Sequence, residues 1–192
     1  SKGMLIGFIG ILIFSLTLPV TKIAVLSFNP YFIAFGRAAL AGMFALAYLV
    51  LKKETTPTKI DFVKFVIIAL GIVFGFPILT TLAMTHGSSS HGAVILGMMP
   101  LATTVIGVLR FKERPSLGFW LVSLLGAGLV VLYALLKSSG SFTYIDGLLV
   151  LGGISACIGY VEGGELSRKM NPRAVISWVL VISLPLNLVM AW

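Results

Sequence analysis

The chain has 192 residues, 58% of them hydrophobic and only 10% charged, with a net charge of +8. A soluble domain carries about 25% charged residues, so this composition excludes an ordinary water-soluble fold and makes lipid the solvent. The basic excess does not point to nucleic acid, because Lys and Arg gather in short loops at alternate ends of apolar segments, which is a topology signal.

Seven apolar segments follow one another, at 4–26, 31–51, 65–84, 92–109, 117–136, 147–166 and 174–192. Each is close to the ~20 residues a membrane helix needs. They are numbered here as spans 1 to 7. Their connections (SFNP, KKETTPTKID, THGSSSHG, RFKERPS, KSSGSFTYID and SRKMNPR) are short and rich in turn-formers, as expected between antiparallel helices. The run after Lys2 is long enough to anchor and has no A-x-A site, so it reads as a span and not as a cleaved signal. With the N-terminus in the cytoplasm, eleven Lys and Arg fall on the inner side. They are Lys2, Lys52, Lys53, Lys59, Lys64, Arg110, Lys112, Arg114, Arg168, Lys169 and Arg173. The outer loops hold only Lys137, a strong positive-inside bias.

Spans 1 and 2 carry the two cations that lie in outer halves, Lys22 and Arg37, with Asn29-Pro30 as the turn between them. A cation at the centre of a lipid-spanning helix costs ~2.5–3.5 kcal/mol on insertion scales. Lys22 is near the end of its span and is expected to snorkel to water. Arg37 lies seven residues past Pro30, roughly 10 Å deep at about 1.5 Å per residue, and needs a partner. Two roles are open to it: attracting an anionic substrate group, or bonding backbone carbonyls at helix ends. The second is favoured.

Pro19, Pro77, Pro100 and Pro185 sit inside spans, where each frees a carbonyl and bends its helix. Gly3/Gly7, Gly71/Gly75 and Gly159/Gly163 have the spacing that lets helix backbones approach closely. Several polar positions share helix faces with these features. Thr17 and Thr21 follow Phe14; Thr80, Thr81 and Met84 follow Pro77; Met99 and Thr103 flank Pro100; Ser155, Gly159 and Glu162 share a face of span 6. Each alone suits helix packing. Together they suit a cavity for a small amphipathic solute.

Glu162 is the one acid clearly inside a span. Facing a cavity, it would be a candidate proton-coupling group; at the interface, it would bind inner-loop cations, which is the favoured reading. The His86–Gly92 loop, HGSSSHG, has no acid near it in sequence and no G-x-S-x-G turn, so a hydrolase or metal site is not expected. The lone Cys157 makes neither a disulfide framework nor a thiolate metal site. No cofactor is expected.

The chain also echoes itself. Phe14, Lys22 and Asn29-Pro30 recur as Tyr160, Arg168 and Asn171-Pro172, so span 1 corresponds to span 6 and span 2 to span 7. Five spans separate the copies, an odd number, so the second copy is inverted, as in many secondary transporters.

The pattern Phe14, Lys22, Pro30, Arg37 resembles the drug/metabolite transporter superfamily, in particular its EamA-type transporters. So does the series Leu82-Ala83, Ser88 to Ala93, Pro100, Lys112-Glu113-Arg114, Trp120, Gly126 and Gly128. Two residues depart from the family habit: Phe14 stands where Trp is frequent, and Glu162 where an apolar residue is common. The resemblance implies an all-α membrane bundle of ten spans in two inverted five-helix repeats. Residues 1–140 would be the first repeat, and 141–192 the opening two helices of the second. It also implies a non-enzymatic secondary transporter in the cell membrane, its partners the lipid bilayer and a small-molecule substrate, with proton or ion coupling open. The implied substrate cavity draws on Phe14, Thr17, Thr21, Pro77, Thr80, Thr81, Met84, Met99, Thr103, Ser155, Gly159 and Tyr160. The rival reading is a membrane scaffold, assembly protein or channel.

Overall fold

The computed structural model describes residues 2–54, 56–57, 59–137 and 143–192. Among these residues it is entirely helical, and six helices are long and apolar enough to cross a membrane. Span 1 comprises α1 (Lys2–Ser15) and α2 (Thr17–Ala24), and span 2 is α3 (Pro30–Lys52). Span 3 runs through α4 (Lys59–Ile68), a π-helical segment (Ala69–Gly75) and α5 (Phe76–His86). Span 4 comprises α6 (Ser89–Leu96) and α7 (Met99–Phe111). Spans 5 to 7 are α8 (Leu117–Lys137), α9 (Tyr144–Leu166) and α10 (Pro172–Met190). In α8 the described apolar stretch, Leu117–Tyr133, is shorter than the other six.

The prolines account for the interruptions. A proline lacks the N–H that would bond the carbonyl four residues earlier, and its ring crowds that carbonyl. Helix α1 ends at Ser15, four before Pro19, and α6 ends at Leu96, four before Pro100. In span 3 the residue four before Pro77 is Val73, inside the π segment, where the wider turn takes up the missing bond. Pro185 differs, since α10 runs through it without a break.

Two apolar clusters hold the bundle together. One joins Ala38, Phe65, Ile68, Val73, Leu166, Val175 and Val179 from α3, span 3, α9 and α10. The other joins Leu18, Ala83, Met84 and Leu149 from α2, α5 and α9. Helix α3 lies along α10, where Gly42 faces Leu184 and the Leu180 carbonyl. Span 3 packs on α9 still more closely. A Cβ on Gly71 would lie 2.5 Å from the Ser155 carbonyl oxygen and 3.1 Å from the Gly159 Cα. One on Gly75 would collide with the Ser155 hydroxyl. These glycines do what their spacing predicted. Gly7 does not, because nothing lies within 4 Å of its notional Cβ.

The sequence echo has a local counterpart. Asn29 caps α3 by accepting from the Tyr31 N–H (2.9 Å), and Asn171 caps α10 by accepting from the Arg173 N–H (3.1 Å). Proline follows each cap as the first helical residue.

Candidate substrate cavity

Breaking α1 from α2 and α6 from α7 leaves a space beside α9. It is a cavity of about 1210 Å³ walled by spans 1, 4, 5 and 6 and by the loop after α7. Four of the predicted residues line it: Phe14, Met99, Thr103 and Tyr160. Phe14 stacks on Phe76 with ring centroids 5.9 Å apart, which holds the aromatic wall of span 1 against span 3. Thr103 donates to the Met99 carbonyl (2.8 Å), so its hydroxyl serves its own helix first.

The other eight predicted residues are outside this wall. Thr80 is buried and donates to the Phe76 carbonyl (2.6 Å). Thr81 is fully buried, its Oγ1 without a hydrogen-bond partner among the described residues. Met84 and Pro77 are buried within span 3's packing, and Thr21 is buried on α2. Ser155 donates to the Gly71 carbonyl (3.3 Å), and Gly159 meets Ile72. Thr17 begins α2, just past the break at Leu16, and so leaves the face that Phe14 shares with Gly7, Gly10 and Ile11. The face of span 6 bearing Ser155 and Gly159 is therefore the packed one. The face bearing Tyr160, Val161, Gly164 and Arg168 is the cavity wall.

Part of the cavity lining is charged. Glu113, Arg114, Glu165 and Arg168 all line it. Arg168 pairs with Glu113 at 2.6 Å and lies 3.7 Å from Glu165, linking the loop after α7 to the end of α9. Sequence reasoning did not assign Glu113 or Arg168 to the cavity. The signal for Arg168 was its match to Lys22, which marks a span end.

The intramembrane charges are placed as follows. Lys22 does not snorkel freely to water. It donates to the Met84 carbonyl (2.9 Å), and a helix end with unbonded carbonyls is a natural acceptor for it. Glu162 is buried (3% exposed) and accepts from Arg110 Nε at 2.8 Å, while its Oε2 has no partner among the described residues. It is absent from the cavity wall, and its partner comes from span 4 and not from Arg168 or Lys169. Arg37 is half-buried. No described residue gives it an ion pair or hydrogen bond, so the carbonyl tie expected of it is not made. The His91 loop is not as acid-poor as its sequence suggests. The fold brings Asp146 onto the His91 ring, and the same carboxylate accepts from the Thr143 N–H (2.7 Å) and hydroxyl (2.8 Å). The pair fastens α6 to α9 as a latch. Among the described residues no His/Cys/Asp/Glu cluster could hold a metal ion.

The chain is similar to known proteins in two respects. The sequence profile of the EamA-like transporter family matches residues 1–135. The chain is also 44% identical over 188 residues to the uncharacterized transporter YdeK of Bacillus subtilis (strain 168), covering 98% of this chain and 66% of that protein. The chain thus spans slightly less than two thirds of the length of that relative. No solved structure matches it. On the strength of the profile and the relative together, this multi-pass membrane chain belongs to the EamA-like transporter family, which is a family of transporters and not of enzymes.

Proposed function

We propose that the protein is a secondary transporter that exports small amphipathic metabolites or amino-acid-like solutes across the cell membrane by alternating access. One observation carries this reading. A large cavity with an aromatic and thioether wall, Phe14, Met99 and Phe119, and charged lining residues, Glu113, Arg114, Glu165 and Arg168, is bounded by two interrupted helices. Interrupted spans beside a cavity are a recurrent device of secondary transporters, and apolar walls with a few polar groups suit amphipathic solutes. The matched Asn-Pro caps support the division into a first repeat (1–140) and an inverted second one (141–192). The distribution of Lys and Arg supports a cytoplasmic N-terminus, with the Lys53, Lys112 and Lys169 loops inside.

Counterflow in liposomes made with the full-length protein tests the function. Saturable, substrate-selective exchange is expected for a carrier. Absence of flux across a broad panel of amphipathic solutes would leave a scaffold, and unsaturable flux would mean a channel. Single-cysteine labelling in a Cys157→Ala background tests the orientation. Impermeant reagent applied outside should reach position 89 and not position 53.

A further inference from the structure

We propose that Leu96 and Met99 form a gate on the solute's path, an apolar partition that separates the cavity from a second, smaller space and yields at the joint between α6 and α7. The inference rests on the transport reading above and adds its moving part. The second space has a volume of about 230 Å³ and lies between spans 4 and 6. Its lining is apolar, and it shares two residues with the cavity, Leu96 and Met99. On α9 the two spaces follow one another. Leu149, Gly153 and Cys157 line the small one, and Tyr160, Gly164 and Arg168 line the large one. Steps of three and four residues keep all six on one face of the helix. The spaces therefore lie end to end along span 6, with Leu96 and Met99 between them.

The partition sits where span 4 is broken. Leu96 is the last residue of α6 and Met99 the first of α7, so each half of the span contributes one gate residue. Pro100 brings no N–H to the Leu96 carbonyl, and Gly97 and Met98 form the joint. Across from the pair is bare backbone. A Cβ on Gly153 would lie 3.4 Å from Leu96 Cδ2 and 3.7 Å from Met99 Cγ. The two halves are anchored differently. The Cys157 thiol donates to the Met99 carbonyl at 3.6 Å, which ties the start of α7 to α9. Helix α6 is held near its other end, by the His91–Asp146 latch. Rotation of α6 about the joint draws Leu96 away from Met99 and Gly153 and merges the two spaces. Apolar constrictions close a passage by excluding water, and a hinge needs only a few residues at an element's end.

Cys157 is a built-in reporter, being fully buried and part of the smaller lining. Trimethylammonioethyl methanethiosulfonate is permanently charged, so it needs a wet route to that thiol. Its reaction with the purified full-length protein is followed by the mass of the peptide that holds Cys157. The parent should react slowly and Leu96→Ala/Met99→Ala about tenfold faster, since access sets the rate of exchange at a given thiol. Gly153→Leu refills the gap from the opposite helix. It should return the double variant to the parent's rate and, alone, all but stop the reaction. Leu151→Ala trims an exposed side chain of α9 that is in neither lining, and should change nothing. If the double variant does not accumulate, Met99→Ala, expected to give about a threefold rise, decides on the same readings. A parent thiol that never reacts, rates that ignore the changes at Leu96, Met99 and Gly153, or an equal rise with Leu151→Ala would overturn the gate. Counterflow is read separately. Saturable exchange beside an unresponsive thiol removes the gate and keeps the transporter. A responsive thiol in a protein that moves no solute keeps the partition and removes the transporter.

Discussion

Spans 3 and 6 meet backbone to backbone, whereas span 1 touches its neighbours at few points. In the most apolar 18-residue stretches of 61–86 and 144–166, 39% and 44% of residues are buried, against 11% for that of 5–24. Gly71 and Gly75 admit Ser155 and Gly159 to contact, while Gly7 and Gly10 face open space along the cavity. In lipid an apolar side chain gains little by turning inward, because the tails are as apolar as the core. Small residues and polar partners decide instead which faces meet. The same glycine therefore means a seam in span 3 and a cavity lining in span 1.

That contrast predicts its own failure tests. The largest effect should come from Gly71→Val, which would press a branched side chain onto the Ser155 carbonyl. Overpacking costs about 1–3 kcal/mol where neighbours can move, and a backbone carbonyl has little room to do so. Membrane-fraction yield and thermal stability in detergent should both fall sharply, while Gly10→Val should accumulate like the parent. Equal behaviour of the two would erase the distinction between seam and wall.

A smaller but asymmetric effect is expected at the Arg110–Glu162 pair. The Glu162 side chain is 4% exposed and that of Arg110 60%. Arg110→Met strands a carboxylate in the packed interior and should cost about 3 kcal/mol. Glu162→Gln leaves an arginine that water already reaches and should cost well under half of that. If Glu162 is a structural tie, Glu162→Gln should also keep the parent's pH dependence of transport. A flattened profile would restore it as a coupling group. The smallest effect belongs to the His91–Asp146 latch. The His91 side chain is 44% exposed, so His91→Ala should lower stability by about 0.5–1 kcal/mol at most, read as a small shift in melting temperature. A loss as large as that of Arg110→Met would mean the latch organises the bundle.

The spans themselves were legible because lipid imposes length and hydropathy directly on sequence. The helix breaks were legible at Pro19 and Pro100 for a local reason, since the residue four positions earlier is where each helix stops. The cavity was legible only in part. Phe14, Met99, Thr103 and Tyr160 lie on its wall, but Ser155 and Gly159 belong to the seam. A stripe of small and polar residues reads alike whether it meets solvent or another helix. Gly7, Gly10, Ile11 and Phe14 show the i, i+3, i+4, i+7 spacing of one helix face, a signal that could have marked the wall of span 1. The class of Glu162's partner was legible, since Arg110 is one of the inner-side cations, but neither that residue nor Asp146 as the partner of His91 could be named, because they are 52 and 55 residues away in the chain.

The loose packing of span 1 bears on how the protein is made. Its most apolar stretch has a mean hydropathy of 2.0, against 1.6 for that of 144–166, and little of it is buried against the other described helices. It can leave the translocon and settle in the bilayer before any neighbour has been synthesised. The glycine-rich 144–166 segment, with Glu162 aboard, is the poorer independent passenger. Its residence in lipid depends on Arg110 and span 3 already waiting there, so its insertion should be the late, chaperone-sensitive event of biogenesis.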